Sequence, residues 1–229
     1  MNGFDFDVID RSLGYLFQDG MMFTLKLTLL SATGGLILGT LLALCRLSKI
    51  PLLSTVAGTY VNLLRALPLI LVIFWFYFLV PYIGAWLTGA SRPVSVGGFT
   101  SALITFTLFE AAYYCEIMRS GILSVPQSQT AAAKALGLNR VQVLCSVVLP
   151  QAFHNMAPVL LTQTIVLFQD TSLVYVLSLT DFLGAAVKVA QRDGRLLEMY
   201  VFAAVVYFVI CYCASQLVRY LQRRTAVSR

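Results

Sequence analysis

Five stretches of this chain are almost unbroken runs of apolar residues: 22–44, 60–80, 99–118, 152–172 and 199–218. Each is close to the roughly 20 residues a helix needs to cross the hydrocarbon core of a bilayer. Lipid offers no hydrogen-bond partner to free backbone groups, so each run predicts a transmembrane helix. The expected fold is therefore all-α and integral to the membrane, with about five spans. Composition agrees: 59% of the 229 residues are hydrophobic and 11% are charged, against roughly a quarter charged in soluble domains. A water-soluble fold of this size could not hide that much apolar surface.

The net charge of +6 allows two readings, nucleic-acid binding or the cytoplasmic enrichment of basic residues in membrane proteins, and placement decides for the second. With the N-terminus outside, the inner segments and helix ends hold Arg46, Lys49, Arg65, Arg119, Lys134, Arg140, Arg219, Arg223, Arg224 and Arg229. The outer ones hold only Arg11, Lys26, Arg92, Lys188, Arg192 and Arg195, interspersed with Asp19, Asp181, Asp193 and Glu198. The bias predicts N-out, C-in. Residues 1–21 then form an outer segment and 219–229 a basic cytoplasmic tail. The N-terminus is acidic at Asp5, Asp7, Asp10 and Asp19 and has no basic region before its first apolar run, so no cleavable signal peptide is expected.

The connections differ in character. Arg92-Pro93 and Gly97-Gly98 mark an outer turn, and the polar stretch 180–198 is expected on the outer surface. The inner connection 119–150 does not read as a loop. Pro126 suits a helix start, residues 131–136 are strong helix formers, and Gly137 fits a left-handed cap. Asn139 is a good N-cap for a second helix, on which Val141, Leu144, Cys145 and Val148 would make one apolar stripe. Pro150 would then open the next span. Two short helices joined by a bend fit either a hairpin lying on the membrane surface or an alanine-rich helix seated in a groove of another protein.

The segment 129–150 resembles the cytoplasmic signature of ABC-type import permeases: Glu-Ala-Ala, three residues, Gly, nine residues, then Ile, one residue, Leu-Pro. Here it reads Ala131-Ala132-Ala133, Gly137, Val147, Val148 and Leu149-Pro150. Alanine stands at 131 where that family usually has glutamate, which removes a charge contact but not the helix. Residues 60–69, opening the second run, and Phe109 to Arg119 followed by Gly121 resemble the polar amino-acid branch. Residues 168–179, Arg192-Asp193-Gly194 and 220–224 look most like the second permease subunit of glutamate/aspartate importers. The resemblance covers essentially the whole chain. It implies a type I importer transmembrane domain over 22–218, in a bacterial inner membrane. It also implies a coupling helix that contacts an ATPase through Gln129, Ala131, Ala132, Ala133, Lys134 and Gly137, with Leu149 and Pro150 closing the motif. The implied partners are a second homologous permease, an ATP-binding subunit dimer that uses ATP and Mg, and a periplasmic amino-acid-binding protein.

Ionisable groups within spans are costly and are functional candidates by default. Glu110, Glu116 and Asp170 stand out. Glu116 and Arg119 are i, i+3 neighbours and read as an ion pair. Arg65, near the inner end of its helix, either snorkels or borders the permeation path. In the fourth run Thr162 and Gln169 share one face, as do Gln163 and Asp170. With Thr164, Thr171 and Ser172 they form a polar strip fit for interhelical hydrogen bonding or for lining a pathway. The candidate pathway residues are therefore Glu110, Gln163, Gln169, Asp170, Thr171 and Ser172. An amino acid's ammonium would suit Asp170 or Glu110, and an acidic substrate's extra carboxylate would want arginine, hydroxyl or backbone N–H donors. Gly35 and Gly39, with Gly34, permit close helix contact.

No G-x-x-x-x-G-K-[ST] phosphate loop occurs in the sequence, so ATP hydrolysis is not expected from this chain. The single histidine, His154, excludes a histidine-rich metal centre. Cys45, Cys115, Cys145, Cys211 and Cys213 show neither disulfide nor zinc spacing. The expected protein is a non-catalytic permease that carries no cofactor of its own and does not bind nucleic acid. A stand-alone ion-coupled carrier or channel is the alternative, and the odd number of spans without a visible repeat counts against it.

Overall fold

The computed structural model describes residues 4–94 and 96–226. The first three residues of the outer segment and the last three of the basic tail, Arg229 among them, lie outside the described residues. Every regular element among those described is helical. In chain order they are α1 (Asp7–Asp10), α2 (Leu13–Tyr15), a π-helical turn (Leu16–Met21) and α3 (Met22–Leu47). Then come α4 (Pro51–Ala66), α5 (Leu69–Thr88), α6 (Gly98–Leu123) and α7 (Gln127–Ala135). After α8 (Arg140–Val143), a second π turn (Leu144–Val148) leads into α9 (Leu149–Asp170). A 3₁₀ segment (Thr171–Leu177), α10 (Phe182–Asp193) and α11 (Leu196–Ala226) complete the order.

Four stretches have the length and composition to cross a membrane unaided: Leu13–Leu47, Leu69–Thr88, Arg140–Leu177 and Leu196–Arg223. The central helix α6 is not among them, because Glu110, Glu116, Arg119 and its hydroxyl residues dilute its hydropathy. Its neighbours place it instead. Phe23 meets Phe99 edge-on with ring centroids 5.3 Å apart, Gly35 lies against Glu110, Gly39 against Ala111 and Tyr114, and Arg46 pairs with Glu116. Thus α3 and α6 run side by side in the same direction over their whole lengths. At 1.5 Å per residue the 26 residues of α6 extend about 39 Å, enough to cross at the depth of α3. A buried face of twelve residues, from Ser101 to Gly121, explains how this helix tolerates its polar content: protein rather than lipid surrounds it.

The second apolar run is not one helix. Leu67 is extended (φ −98°, ψ 140°) and Pro68 heads α5, because the ring of Pro68 disfavours helical geometry in the residue before it. The break separates α5 from α4, an amphipathic helix that buries Ala57, Val61 and Leu64 at i, i+4 and i+7, the last two against Ala43, Ala112, Cys115 and Met118. The stretch 180–198 also departs from expectation. It lies outside the spans, yet α10 drives Phe182, Ala185, Ala186, Val189 and Ala190 into a core shared with Leu16, Phe168 and Met199. That 3.6-residue spacing is an amphipathic stripe, not a uniformly polar surface. Three of the six basic residues expected on the outer side are ion-paired: Arg11 and Arg192 with Asp193, and Arg195 with Asp5 and Glu198. These ties fasten the N-terminal segment to α10 and α11.

Two predictions follow from the packing. A Cβ added at Gly39 would lie 2.9 Å from the Ala111 carbonyl oxygen and 3.0 Å from the Cys115 nitrogen, both backbone atoms of α6. Gly39→Val should lower the unfolding free energy by about 1–3 kcal/mol, the usual cost of overpacking, measurable as a fall in melting temperature and in yield of folded protein.

Asp181 is fully buried and caps α10, accepting from Leu183 N at 3.0 Å and Gly184 N at 3.1 Å. Burial raises its pKa to about 7 even though those amide donors favour the charged form. The fold therefore holds this proton over a range where the unfolded chain has released it, and stability falls as pH rises towards 7. Asp181→Asn keeps a capping oxygen and should flatten the decline in melting temperature between pH 5 and about 7.

Candidate functional site

The inner connection folds as the sequence predicts up to Gly137. Pro126 heads α7, and Gly137 is left-handed with φ +85°. Asn139 caps α8, accepting from Val141 N and Gln142 N, while the Gln142 side chain accepts from Asn139 N at 2.9 Å. The single buried residue of α7 is Ala133, which packs on Val125, Val143, Val148 and Ala152. Gln129, Ala131, Ala132 and Lys134 face outward, and Leu136 is 82% exposed.

Two expectations about this loop need correction. The apolar stripe that packs consists of Val143, Val147 and Val148, whereas Val141 and Leu144 are exposed at 69% and 43% and Cys145 is exposed too. The stripe is set by where α7 docks, which periodicity of α8 alone does not reveal. Nor does Pro150 open the span, although it stands in the first turn of α9. Arg140 to Leu177 is one continuous helical stretch, and the π turn immediately before Leu149-Pro150 accommodates the amide that proline lacks. The lower part of α9 is thus a rigid extension of the loop.

Further towards the outer side, α9 runs antiparallel to α6. Asn155 Nδ2 donates to Ser124 Oγ at 2.9 Å, Met156 lies against Gly121, and Thr164 Oγ1 and the Tyr114 hydroxyl are 3.0 Å apart. Gln163 Nε2 donates to both oxygens of Glu110, at 3.3 and 3.2 Å. Glu110 has no exposed surface and, among the described residues, no ion pair. Its burial is made tolerable by that amide. Asp170, two helical turns beyond Gln163 on the same face, is only partly buried and acts electrostatically on Glu110 and Tyr113.

The polar strip of α9 splits in two. Gln163 and Asp170 face α6. Gln169 and Ser172 instead line a separate pocket of about 310 Å³ against Tyr200, Ala203 and Tyr207 of α11. Thr171 is buried, its hydroxyl donating to Phe168 O at 2.7 Å, and Thr162 is exposed and bonded to Pro158 O. Thr171 and Thr162 therefore satisfy local backbone.

A cavity of about 400 Å³ opens between α4, α6 and α9, and Gln163, Arg65, Tyr113, Glu116, Ser120 and Asn155 contribute to its wall. Glu116 is held by Arg119, as expected, and also by Arg46 at the end of α3, a partner that spacing along α6 could not supply. Arg65 sits with its guanidinium 5.4 Å from the centroid of the Tyr113 ring. Arg65 thus stands on the cavity wall, close to the C-terminal end of α4. Tyr113, Ser120 and Asn155 carried no sequence signal beyond polarity.

Residues 35–227 match the family described as binding-protein-dependent transport system inner membrane component. The glutamate/aspartate import permease protein GltK of Escherichia coli O157:H7 is 49% identical over 226 residues, which are 99% of this chain and 100% of that protein. The L-cystine transport system permease protein TcyB of Bacillus subtilis is 33% identical, with 95% and 90% of the two chains covered. A crystal structure of an amino acid ABC transporter with histidines superposes with a TM-score of 0.85 at 30% identity, covering 98% of this chain and all of that one. The inward-facing MetNI methionine transporter shares the fold at a TM-score of 0.66 and 21% identity, with coverage of 90% and 96%. An all-helical chain with this fold and this inner connection, similar along its length to amino-acid permeases, belongs to the family of binding-protein-dependent transport system inner membrane components, as a permease subunit of an ABC amino-acid importer.

Proposed function

We propose that this chain is a permease subunit of an ATP-driven importer of glutamate and aspartate in a bacterial inner membrane, with its N-terminus outside and its C-terminus in the cytoplasm. The observation that carries the reading is the outward face of α7, bearing Ala131, Ala132 and the exposed Leu136. A small-residue helix with an exposed leucine at its end, held by one buried alanine, suits a cleft on another protein. The proposed occupant of that face is an ATP-binding subunit dimer that consumes ATP and Mg. A second homologous permease and a periplasmic binding protein complete the assembly. The permease similar at 49% is named for glutamate and aspartate, which supports that cargo. Within this chain Asp170, with Gln163 on the same face, is assigned to the substrate's ammonium. Glu110 is assigned a structural role behind Gln163, because it is sealed from the cavity.

Energetically, the ATPase biases an equilibrium between inward- and outward-facing states through contacts at α7 that differ between them. A self-contained carrier would transport when reconstituted alone. Here ATP-dependent glutamate uptake into proteoliposomes should require the partner permease, the ATPase and the binding protein, and uptake by this chain alone would refute the proposal.

Gly137 has open space around it but a backbone only glycine adopts without strain. Gly137→Val should cost roughly 1–2 kcal/mol of local strain, tilt α7, and reduce ATPase co-purification and substrate-stimulated hydrolysis. Normal values for both would refute coupling through this helix. Asp170→Asn should weaken apparent substrate affinity about ten- to hundredfold, as loss of a charged hydrogen bond of roughly 1.5–3 kcal/mol implies, read from the concentration dependence of uptake.

A further inference from the structure

The charges around the α4–α6–α9 cavity do not balance. Glu116 is the one carboxylate among the residues lining it, and it is already held by Arg46 and Arg119. Arg65 acts on the same carboxylate electrostatically, so three guanidiniums share a single negative group. Glu110, the next carboxylate on α6, is fully buried and bonded to Gln163, and Asp170 stands seven residues beyond Gln163 on α9. Both act on Tyr113 from a distance, and the positive excess is local to Arg65 and its two neighbours. The remaining polar wall, Gln163, Asn155, Ser120 and Ser124, is neutral.

Arg65 is the guanidinium left over. Among the described residues it makes no ion pair and no hydrogen bond, and its one close partner is the Tyr113 ring. At 5.4 Å from the ring centroid the guanidinium is within cation–π reach, which favours its position near Tyr113 while leaving its five N–H donors available. A planar fork held in this way, on the wall of a cavity with excess positive charge, is suited to bidentate capture of a carboxylate.

We infer that Arg65 receives the side-chain carboxylate of an acidic α-amino acid and selects it over the uncharged amide of the same shape. The inference rests on the proposed function, and it names the contact that would distinguish acidic cargo. Position along α9 decides which carboxylate is meant. Asp170, assigned to the ammonium, lies seven residues beyond Gln163, about 10 Å along the helix, and Gln163 shares the cavity wall with Arg65. The α-carboxylate stays beside the ammonium, whereas the distal carboxylate reaches inward towards Arg65. An amide presents a single oxygen and an N–H₂ to the same fork, so one donor is left facing another donor and the cavity's charge stays uncompensated.

The test uses the complete permease–ATPase complex in nanodiscs, without binding protein, so that selectivity belongs to the membrane subunits. Binding of labelled L-glutamate and L-glutamine is measured by equilibrium dialysis for the unaltered complex, Arg65→Gln and Arg65→Lys. The unaltered complex should prefer glutamate. Arg65→Gln should weaken glutamate binding about ten- to hundredfold, the loss expected for a charge-assisted contact, with glutamine affinity moving less than about twofold. Arg65→Lys, which keeps the charge without the fork, should fall between. Because the glutamate-to-glutamine ratio is read within one preparation, loss of folded protein does not mimic the effect. An unchanged ratio in Arg65→Gln overturns the inference, and so does an equal loss for both ligands, which would mark an α-carboxylate or purely structural contact. If the unaltered full transporter imports glutamate while the ratio stays unchanged, only the role of Arg65 fails. If it imports no glutamate, the proposed function fails with it.

Discussion

The close approach of α3 and α6 governs how this chain can place polar groups at membrane depth. With no Cβ at Gly34, Gly35 or Gly39, the α3 backbone reaches Thr107, Glu110, Ala111 and Tyr114. Between helices in lipid there is no hydrophobic driving force, so van der Waals contact of this kind is what holds them. Once α6 is covered on that side, its polar residues point into protein. Glu110 then needs one partner, and the antiparallel α9 supplies it from Gln163. Widen the α3–α6 gap by a methyl group and the burial of Glu110, its bond to Gln163 and the wall of the cavity all shift together.

The same arrangement joins the inner loop to the cavity mechanically. The loop is anchored at the end of α6, where Ser124 accepts from Asn155, and through Ala133 in the cluster with Val143 and Val148. Beyond the cap at Asn139 the helical stretch continues from Arg140 to Leu177, through the π turn Leu144–Val148 and past Pro158 inside α9, carrying Gln163 and Asp170. Packed interiors transmit displacement because they lack free volume to absorb it. Under the proposed coupling, a push on α7 would reach α9 through these packed contacts, with the left-handed Gly137 setting the angle between α7 and α8.

Much of this was readable from sequence because membrane helices must be long, apolar and capped, and those demands leave local traces. The existence of α3, α6, α9 and α11, the bend at Gly137 and the Asn139 cap all belong to that category, although α6 and α11 run five and eight residues past the expected ends. The break at Leu67-Pro68 also leaves a trace, the proline, but hydropathy averaged over a window conceals it. The amphipathic α10 was obscured by its flanking charges, although Asp181 and the spacing of Phe182, Ala185, Ala186, Val189 and Ala190 encode it. Contacts between distant segments leave no such trace. Nothing local joins Arg46 to Glu116, turns Gln169 and Ser172 away from Gln163 and Asp170, or places Arg65 over Tyr113. Those facts come from how helices rotate against one another, which a single sequence does not specify.

A last constraint concerns the open side of the cavity. Arg65 is exposed in the isolated chain, and Gln163 and Asp170 are only partly covered. If that face met hydrocarbon, each charged group would cost several kcal/mol, and neutral polar groups would lose hydrogen bonding with nothing in exchange. The outward faces of α3 and α5 are different: Leu29, Leu30, Ile37 and Leu41 on α3, and Phe78, Leu79, Trp86 and Leu87 on α5 are apolar and exposed, as lipid requires. The chain thus presents one lipid-compatible flank and one that is stable at membrane depth only against protein or enclosed water. The proposed second permease, facing Arg65, Gln163 and Asp170, would meet that condition and would convert an open cavity wall into an enclosed path. On this reasoning pairing is a precondition for the polar residues to sit where they do, and the charge excess at Arg65 becomes usable only after the partner has excluded lipid from it.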